Sequence, residues 1–151
     1  MLTLDVYSKY LRIDTNLQWS AFLKEIPSLR SEKYDLAAVY QFTGELELNE
    51  LHGYVILFLK NIKKCIKDLH HAFECDDFEK IKVVAHNMKS ASLYIGAQKL
   101  SDSCRDLEDS TMTIPLEPQL VKLAGEHAQS ELNEVVNLLE TWSQSVKEYK
   151  K

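Results

Sequence analysis

A histidine with two nearby lysines is the arrangement in this sequence best suited to group-transfer chemistry. Lys82 precedes His86 by one helical turn, and Lys89 follows it by one turn. Residues at these spacings are neighbours on a helix, so both ammonium groups would lie beside the imidazole. A neutral imidazole is a nucleophile, and a nearby cation offsets the negative charge of a phosphoryl group. The spacing therefore predicts a histidine that accepts a phosphoryl group.

The apolar residues around His86 predict which side of the helix faces solvent. They recur at steps of three and four residues and so form one buried stripe, consisting of Ile81, Val84, Met88, Ala91 and Ile95. His86 falls nearly opposite the centre of this stripe, which places its ring in solvent. We expect the residues that surround it on the wheel to contact a partner protein, namely Lys82, Val83, Ser90 and Leu93. An ordinary solvated helix face is the alternative, because isolated apolar residues are common on surfaces.

The residues that follow His86 resemble the pattern of a known family. The matching positions are Ala85, His86, Lys89, Ser92, Gly96, Ala97, Leu100, Cys104, Leu107 and Glu108. In this register the sequence is similar to histidine-containing phosphotransfer (HPt) domains. Met88 stands where the family has leucine, a swap that nearly conserves core volume. Ser90 replaces the family's glycine and adds a hydroxyl group where a partner's backbone would approach.

The resemblance implies a phosphorelay intermediate of two-component signalling. Such a protein would accept a phosphoryl group on His86 from the receiver domain of a hybrid sensor kinase. It would then pass the group to the receiver aspartate of a response regulator, with Lys89 stabilising the phosphoryl charge. Magnesium would belong to the receiver, so we expect no cofactor and no metal in this chain.

Glu108 is a candidate for orienting the imidazole. If the helices before and after Gly96 run antiparallel, Glu108 lies level with His86, because the two residues are at similar distances along the chain from this turn. A carboxylate in that position accepts the Nδ1–H of the ring and leaves Nε2 as the attacking atom. A solvated Glu108 without this role is the alternative.

Four helical patterns with short connections organise the chain. The periodic apolar residues span 48–73, 76–95, 97–107 and 121–146. Asp76 followed by Glu79 resembles a capping box at the start of the second helix, and Gly96 suits a left-handed residue at its end. We therefore predict an all-α fold, an antiparallel four-helix bundle.

The N-terminal part of the chain is expected to cover one end of this bundle. Short helical patterns occur before Pro27 and over residues 35–42. We interpret residues 1–151 as a single domain in which residues 1–34 form a helical extension and residues 35–148 form the bundle.

Composition narrows the classes of partner. The net charge is −5 without a basic run, which argues against nucleic acid. The longest apolar run, residues 54–59, is far shorter than the ~20 residues that span a bilayer. The three cysteines are widely spaced, as expected for reduced thiols rather than a disulfide framework. We expect a cytoplasmic monomer that binds neither nucleic acid nor membrane.

Two other classes of protein also fit a helical bundle. One is an HPt-like adaptor that binds receiver domains or kinases without being phosphorylated. The other is a metal-dependent oxidase, which would use paired Glu-x-x-His motifs where this chain offers only Asp68-x-x-His71. We expect His52 and His127 to be exposed or half-buried. A Gly-rich phosphate loop and kinase motifs are absent from the sequence, so we expect no ATP site and no kinase activity.

Overall fold

Four helices of very different length make up most of the protein. The computed structural model describes residues 11–12, 29–39 and 46–149. The helices are α1 (Leu48–Glu74), α2 (Phe78–Tyr94), α3 (Gln98–Ser110) and α4 (Pro118–Tyr149). α1 and α4 contain 27 and 32 residues, whereas α2 and α3 contain 17 and 13. Since a helix rises about 1.5 Å per residue, α1 and α4 extend well past the α2–α3 pair.

The helices close a ring around one apolar core. α1 packs against α2, α2 against α3, α3 against α4, and α4 against α1. The stripe predicted for α2 faces inward: four of its residues are buried and Ala91 is half-buried. The largest fully buried side chains from the other helices include Leu51, Ile62, Leu100, Leu132 and Trp142. This confirms the prediction of an all-helical bundle, whose shortest connections join neighbouring helices.

The start of α2 differs by one residue from the predicted cap. Asp77, not Asp76, is the N-cap, and its carboxylate accepts a hydrogen bond from Lys80 N at 3.1 Å. Asp76 instead has a φ of 50°, the left-handed conformation that reverses the chain after α1. The predicted cap at Asp76 is therefore wrong, because the turn between α1 and α2 needs that residue for its own geometry.

The turn between α2 and α3 requires a glycine for two reasons. Gly96 has a φ of +66°, as predicted for the end of α2. A Cβ atom at this position would also lie only 2.6 Å from the carbonyl oxygen of Asp35. The backbone of Asp35 is held there by its N–H, which donates to Ile95 O at 2.8 Å. This turn is therefore one place where the bundle contacts the chain that precedes it.

Residues 29–39, here called the strap, cover the end of the α2–α3 pair. Their side chains extend the core, with Leu29, Tyr34, Leu36 and Val39 buried. Lys33 Nζ donates to both carboxylate oxygens of Glu131 on α4, at 2.9 and 3.0 Å. The short helix predicted before Pro27 lies outside the described residues, as do residues 40–42 of the second predicted segment.

A pair of two-residue strands lies ahead of the helices. β1 (Leu11–Arg12) pairs in parallel with β2 (Leu46–Glu47), immediately before α1. This pairing was not predicted, since two residues are too few to produce a periodic pattern. None of the described helices has the combination of length and apolar character needed to cross a bilayer.

Candidate functional site

His86 lies on the outer face of α2 with its ring open to solvent. Its side chain is 63% exposed. Val84, Ala85 and Met88, which surround it in sequence, are buried on the inner face. The exposure follows from the helical period, because the core-facing stripe leaves His86 on the opposite side. The imidazole is therefore accessible to a second protein.

Glu108 on α3 connects His86 to Lys89. Its Oε2 lies 2.6 Å from His86 Nδ1, and its Oε1 accepts a hydrogen bond from Lys89 Nζ at 2.8 Å. The Glu108 side chain is only 9% exposed, so the carboxylate is nearly enclosed while the imidazole is not. The structure thus brings His86, Lys89 and Glu108 together, and we call these three residues the His86 cluster.

The charge state of Glu108 fixes the arrangement of protons on the ring. The hydrogen bond from Lys89 lowers the pKa of Glu108 and outweighs burial, which acts in the opposite direction; His86 lowers this pKa further. An ionised carboxylate only accepts hydrogen bonds, so Nδ1 of His86 is the nitrogen that carries the proton. In the neutral ring, Nε2 then holds a lone pair directed at solvent. The cluster therefore presents a nucleophilic nitrogen.

The interface between α2 and α3 holds this cluster in register. Ser101 on α3 is buried, and its Oγ donates to the backbone oxygen of Lys89 at 2.8 Å. Ser92 Oγ donates within α2 to Met88 O at 2.7 Å, so its hydroxyl is satisfied inside the interface. Small side chains such as these allow the two backbones to approach closely. Sequence reasoning did not identify Ser101, because a serine on a helix carries no distinctive pattern.

The four residues expected to contact a partner are placed unevenly around His86. Val83, Ser90 and Leu93 are exposed on the outer side of α2, as predicted. The ammonium group of Lys82 lies 3.3 Å from Glu79 Oε2, one turn nearer the start of the helix. Lys82 is therefore paired within α2, whereas Lys89 belongs to the His86 cluster.

A groove between α1 and α2 begins next to His86 and was missed from the sequence. It has a volume of about 460 Å³, which is within the range of small binding sites. Its walls include Tyr54, Leu57, Asn61, Asn87, Ser90 and Tyr94. Tyr54 and Leu57 belong to the apolar run of α1, but both side chains are exposed. The signal was their spacing of three residues, which puts them on one side of α1.

The remaining histidines are not assembled into a site. His70 pairs with Glu74 at 3.2 Å, and both ring nitrogens of His71 lie 3.9 Å from Cys75 Sγ. Within the described ranges no group of three or more potential ligands is arranged to hold a metal ion. His127 is exposed, as expected. His52 is buried, and the expectation of an exposed or half-buried side chain was wrong, because α4 covers this side of α1.

A model of the Hpt domain family matches residues 53–144 of this chain. The match covers more than half of the sequence and contains the entire His86 cluster, and the chain belongs to this family. Hpt domains act in the phosphotransfer of two-component signalling and interact there with receiver domains. No match was found among the curated proteins or among the solved structures.

Proposed function

We propose that this protein is a phosphorelay intermediate that carries the phosphoryl group on Nε2 of His86. The group would come from the receiver aspartate of a hybrid sensor kinase and would pass to the receiver aspartate of a response regulator. One observation carries the proposal: Nδ1 of an exposed imidazole lies 2.6 Å from an oxygen of an enclosed carboxylate. This arrangement leaves Nε2 free to attack a phosphorus atom on another protein.

The transfer step balances without an added acid or base. The Nε2 lone pair attacks phosphorus, and a bond forms between nitrogen and phosphorus. The bond from phosphorus to the aspartate oxygen breaks, and the carboxylate leaves with the electron pair. The proton on Nδ1 stays in place, so the phosphorylated ring becomes cationic and Glu108 stabilises it, as a buried carboxylate stabilises an imidazolium elsewhere. The same steps in reverse deliver the group to the second aspartate.

Lys89 would neutralise charge on the transferred group. In the unphosphorylated protein its ammonium group is 2.8 Å from Glu108 Oε1 and half-buried. Rotation of this long side chain would bring one of its three N–H donors to a phosphoryl oxygen. The phosphoryl group brings a charge of about −1.5 to −2. Lys89 would therefore offset charge in the phosphorylated state and hold Glu108 ionised in the free state.

The chain would not phosphorylate itself. Its sequence has neither a Gly-rich phosphate loop nor kinase motifs, so the phosphoryl group and the magnesium ion would both be supplied with the receiver domains. We also propose that the protein works in the cytoplasm as a monomer. Its three cysteines are free thiols, as is usual in a reducing compartment.

Transfer of radioactive label tests the proposal directly. The wild-type protein, His86→Gln and His127→Gln would each be incubated with Mg²⁺ and a panel of receiver domains carrying ³²P on aspartate. Label should move onto the wild type but not onto His86→Gln. Label should also move onto His127→Gln, the control in which an exposed histidine of α4 is replaced. The bound label should survive alkali and be lost in acid, as a phosphoramidate is.

Two outcomes would reject the phosphorelay proposal. Label that never reaches the wild type while the receiver domains still bind it would assign the protein to the adaptor class. Label that still appears on His86→Gln would place the phosphoryl group on another residue.

A further inference from the structure

A serine hydroxyl group beside His86 is left unused by the fold. Ser90 follows His86 by four residues on α2, so the two side chains are neighbours on the helix surface. The Ser90 side chain is exposed, and within the part of the chain that the structure describes its Oγ makes no hydrogen bond. This hydroxyl group is therefore available to a group bound at His86.

Most other hydroxyl groups on the helices are satisfied internally. Apart from Ser90 and Ser130, every serine and threonine on the four helices has a hydrogen-bond partner among the described residues; these are Ser92, Ser101, Ser103, Ser110, Thr141, Ser143 and Ser145. The commonest partner is the carbonyl oxygen four residues earlier. For Ser90 that carbonyl belongs to His86, and the hydroxyl group does not bond to it. The hydroxyl hydrogen of Ser90 can therefore turn toward another acceptor.

The contacts of Lys89 and the position of the groove show on which side of His86 the Ser90 side chain lies. At about 100° per residue, Ser90 lies about 40° around the helix from His86 in one direction, and Lys89 lies about 60° in the other. Lys89 is on the side that faces α3, where its Nζ lies 2.8 Å from Glu108 Oε1. Ser90 is on the side that faces α1, where it lines the groove with Tyr54. Lys89 and Ser90 therefore flank the imidazole.

Nε2 is the ring nitrogen of His86 that is turned away from α3. Nδ1 lies 2.6 Å from Glu108 Oε2, so the edge of the ring that carries Nδ1 faces α3. The two nitrogens of an imidazole are directed away from each other, which leaves Nε2 directed to solvent on the Ser90 side. A helical side chain leans over the turn that precedes it, so Ser90 leans toward the turn that contains His86. A phosphoryl group on Nε2 would therefore extend into the space beside Ser90 Oγ.

We propose that the Ser90 hydroxyl group donates a hydrogen bond to the phosphoryl group on Nε2 of His86 and shifts the equilibrium of transfer toward this chain. The inference rests on the proposed function. A charged phosphoryl oxygen is a stronger acceptor than the water that the hydroxyl group meets in the free protein. The proton stays on Oγ, so the bonds that form and break in the transfer step are the same. Because this hydrogen bond exists only after phosphorylation, it stabilises the phosphorylated state alone.

Ser90 and Lys89 contribute to the phosphorylated state in different ways. Lys89 must leave Glu108 to reach a phosphoryl oxygen, so part of its gain is offset by the contact that it loses. Ser90 has no contact of this kind to give up among the described residues. A glycine at this position, as in the family pattern, would supply no donor. The hydroxyl group of Ser90 thus adds stabilisation that the His86 cluster does not provide.

The experiment measures transfer between this protein and one receiver domain in both directions. In the forward direction the receiver domain carries ³²P on its aspartate in the presence of Mg²⁺. In the reverse direction the labelled protein, separated from the donor, is mixed with the unphosphorylated receiver domain and Mg²⁺. The ratio of the forward and reverse second-order rate constants gives the equilibrium constant of transfer.

Three variants are compared with the wild type. Ser90→Ala removes the hydroxyl group, and Ser90→Thr keeps it. Ser130→Ala is the matched control, because Ser130 is an exposed serine on α4 whose hydroxyl group also has no partner among the described residues. All three should have the circular dichroism spectrum of the wild type, since both positions are exposed.

Ser90→Ala should lower the equilibrium constant about fivefold, which corresponds to about 1 kcal/mol for one net hydrogen bond. Ser90→Thr should keep most of the wild-type constant, and Ser130→Ala should equal the wild type. A contact between Ser90 and the surface of the receiver domain would have a different effect. It would stabilise the complex and change the forward and reverse rate constants by the same factor, so the equilibrium constant would stay the same.

Several results would overturn the inference. An equilibrium constant unchanged in Ser90→Ala would do so, and equal changes of both rate constants would then assign Ser90 to docking instead. A fivefold loss in Ser90→Thr would show that the hydroxyl group is not the cause, and an equal loss in Ser130→Ala would show that the effect is not local to His86. In all these cases label still reaches His86. Absence of label from the wild type would instead reject the proposed function, and this inference with it.

Discussion

His86 and His52 show how one fold uses the same side chain in two ways. The His86 side chain is 63% exposed, and its Nδ1 lies 2.6 Å from a carboxylate oxygen of Glu108. His52 is only 6% exposed, and its Nε2 lies 2.7 Å from the hydroxyl oxygen of Ser143. Both rings bridge two helices, α2 with α3 and α1 with α4. The differences are solvent access and the charge of the partner group.

These differences suit His86 to chemistry with a second protein and His52 to packing in the core. A carboxylate stabilises a cationic ring, whereas a hydroxyl group stabilises it much less. His52 also contacts the ring of Trp142 edge to face, with centroids 6.1 Å apart, so its imidazole is part of the aromatic core. A histidine enclosed in this way has no open side for a second protein. The comparison predicts that substitutions near His86 change transfer, and that substitutions at His52 change stability.

Among substitutions that keep His86, replacing the carboxylate of Glu108 should have the largest effect on transfer. Glu108→Gln keeps the shape of the side chain but removes the charge that would stabilise the phosphorylated, cationic ring. A charge-assisted hydrogen bond contributes about 2 kcal/mol, so transfer should slow roughly 30-fold. Single-turnover transfer from a phosphorylated receiver domain measures this. Glu126→Gln, an exposed position on α4, is the matched control, and equal rates for the two variants would mean that Glu108 has no part in the reaction.

Removing the ammonium group beside the ring should have a smaller effect. In the proposed reaction, Lys89 would meet the phosphoryl group from a half-buried position that solvent partly screens. Lys89→Ala should therefore slow transfer by about tenfold, equivalent to about 1.4 kcal/mol in the barrier. Circular dichroism should show unchanged helical content, since alanine favours helices. A variant that transfers at the wild-type rate would remove Lys89 from the mechanism.

His52→Ala should leave transfer unchanged and lower stability. Deletion of the ring removes the hydrogen bond to Ser143 and leaves a cavity beside Trp142. Together these changes should reduce the free energy of unfolding by about 2–4 kcal/mol. Urea denaturation measures the loss, and His127→Ala, at an exposed position, should lie within about 0.5 kcal/mol of the wild type. If folded His52→Ala transferred more slowly than the wild type, the assignment of His52 to stability alone would be wrong.

The pH dependence of stability should reveal the weakest of these effects. The pKa of Glu108 is lower in the folded protein than its usual value, so the unfolded chain takes up a proton first as the pH falls. The contribution of Glu108 should be fully present above the usual glutamate pKa of about 4.3 and be lost as the pH falls through the folded value. The difference in unfolding free energy between the wild type and Glu108→Gln, measured by urea titration from pH ~5 downward, should thus shrink as the pH falls. A difference that grows on acidification would contradict the assigned ion pairs.

The bundle and the His86 cluster were predictable because both depend on local periodicity. The stripe from Ile81 to Ile95 determined which side of α2 is buried and therefore that His86 is exposed. Glu108 was placed opposite His86 by assuming an antiparallel pair around the Gly96 turn, and the structure brings the two side chains into contact. In such a hairpin, equal distances from the turn put residues side by side.

Contacts between distant parts of the chain were not predictable from periodicity. Lys33 and Glu131 are separated by 98 residues, and nothing in either neighbourhood indicates the other. The groove beside His86 likewise forms only when Tyr54 and Tyr94 are brought together from two helices. His52 was misjudged for the same reason, since its burial depends on the side of α1 that α4 covers.

The strap limits how far this protein can be shortened from its N-terminal side. The region of family similarity begins at residue 53, but Leu29, Tyr34, Leu36 and Leu51 precede it and are buried. A fragment trimmed to the matched residues would expose the apolar surfaces that these side chains cover and would lose the backbone that lies against Gly96. The cooperative folding unit is therefore longer than the segment that sequence comparison delimits.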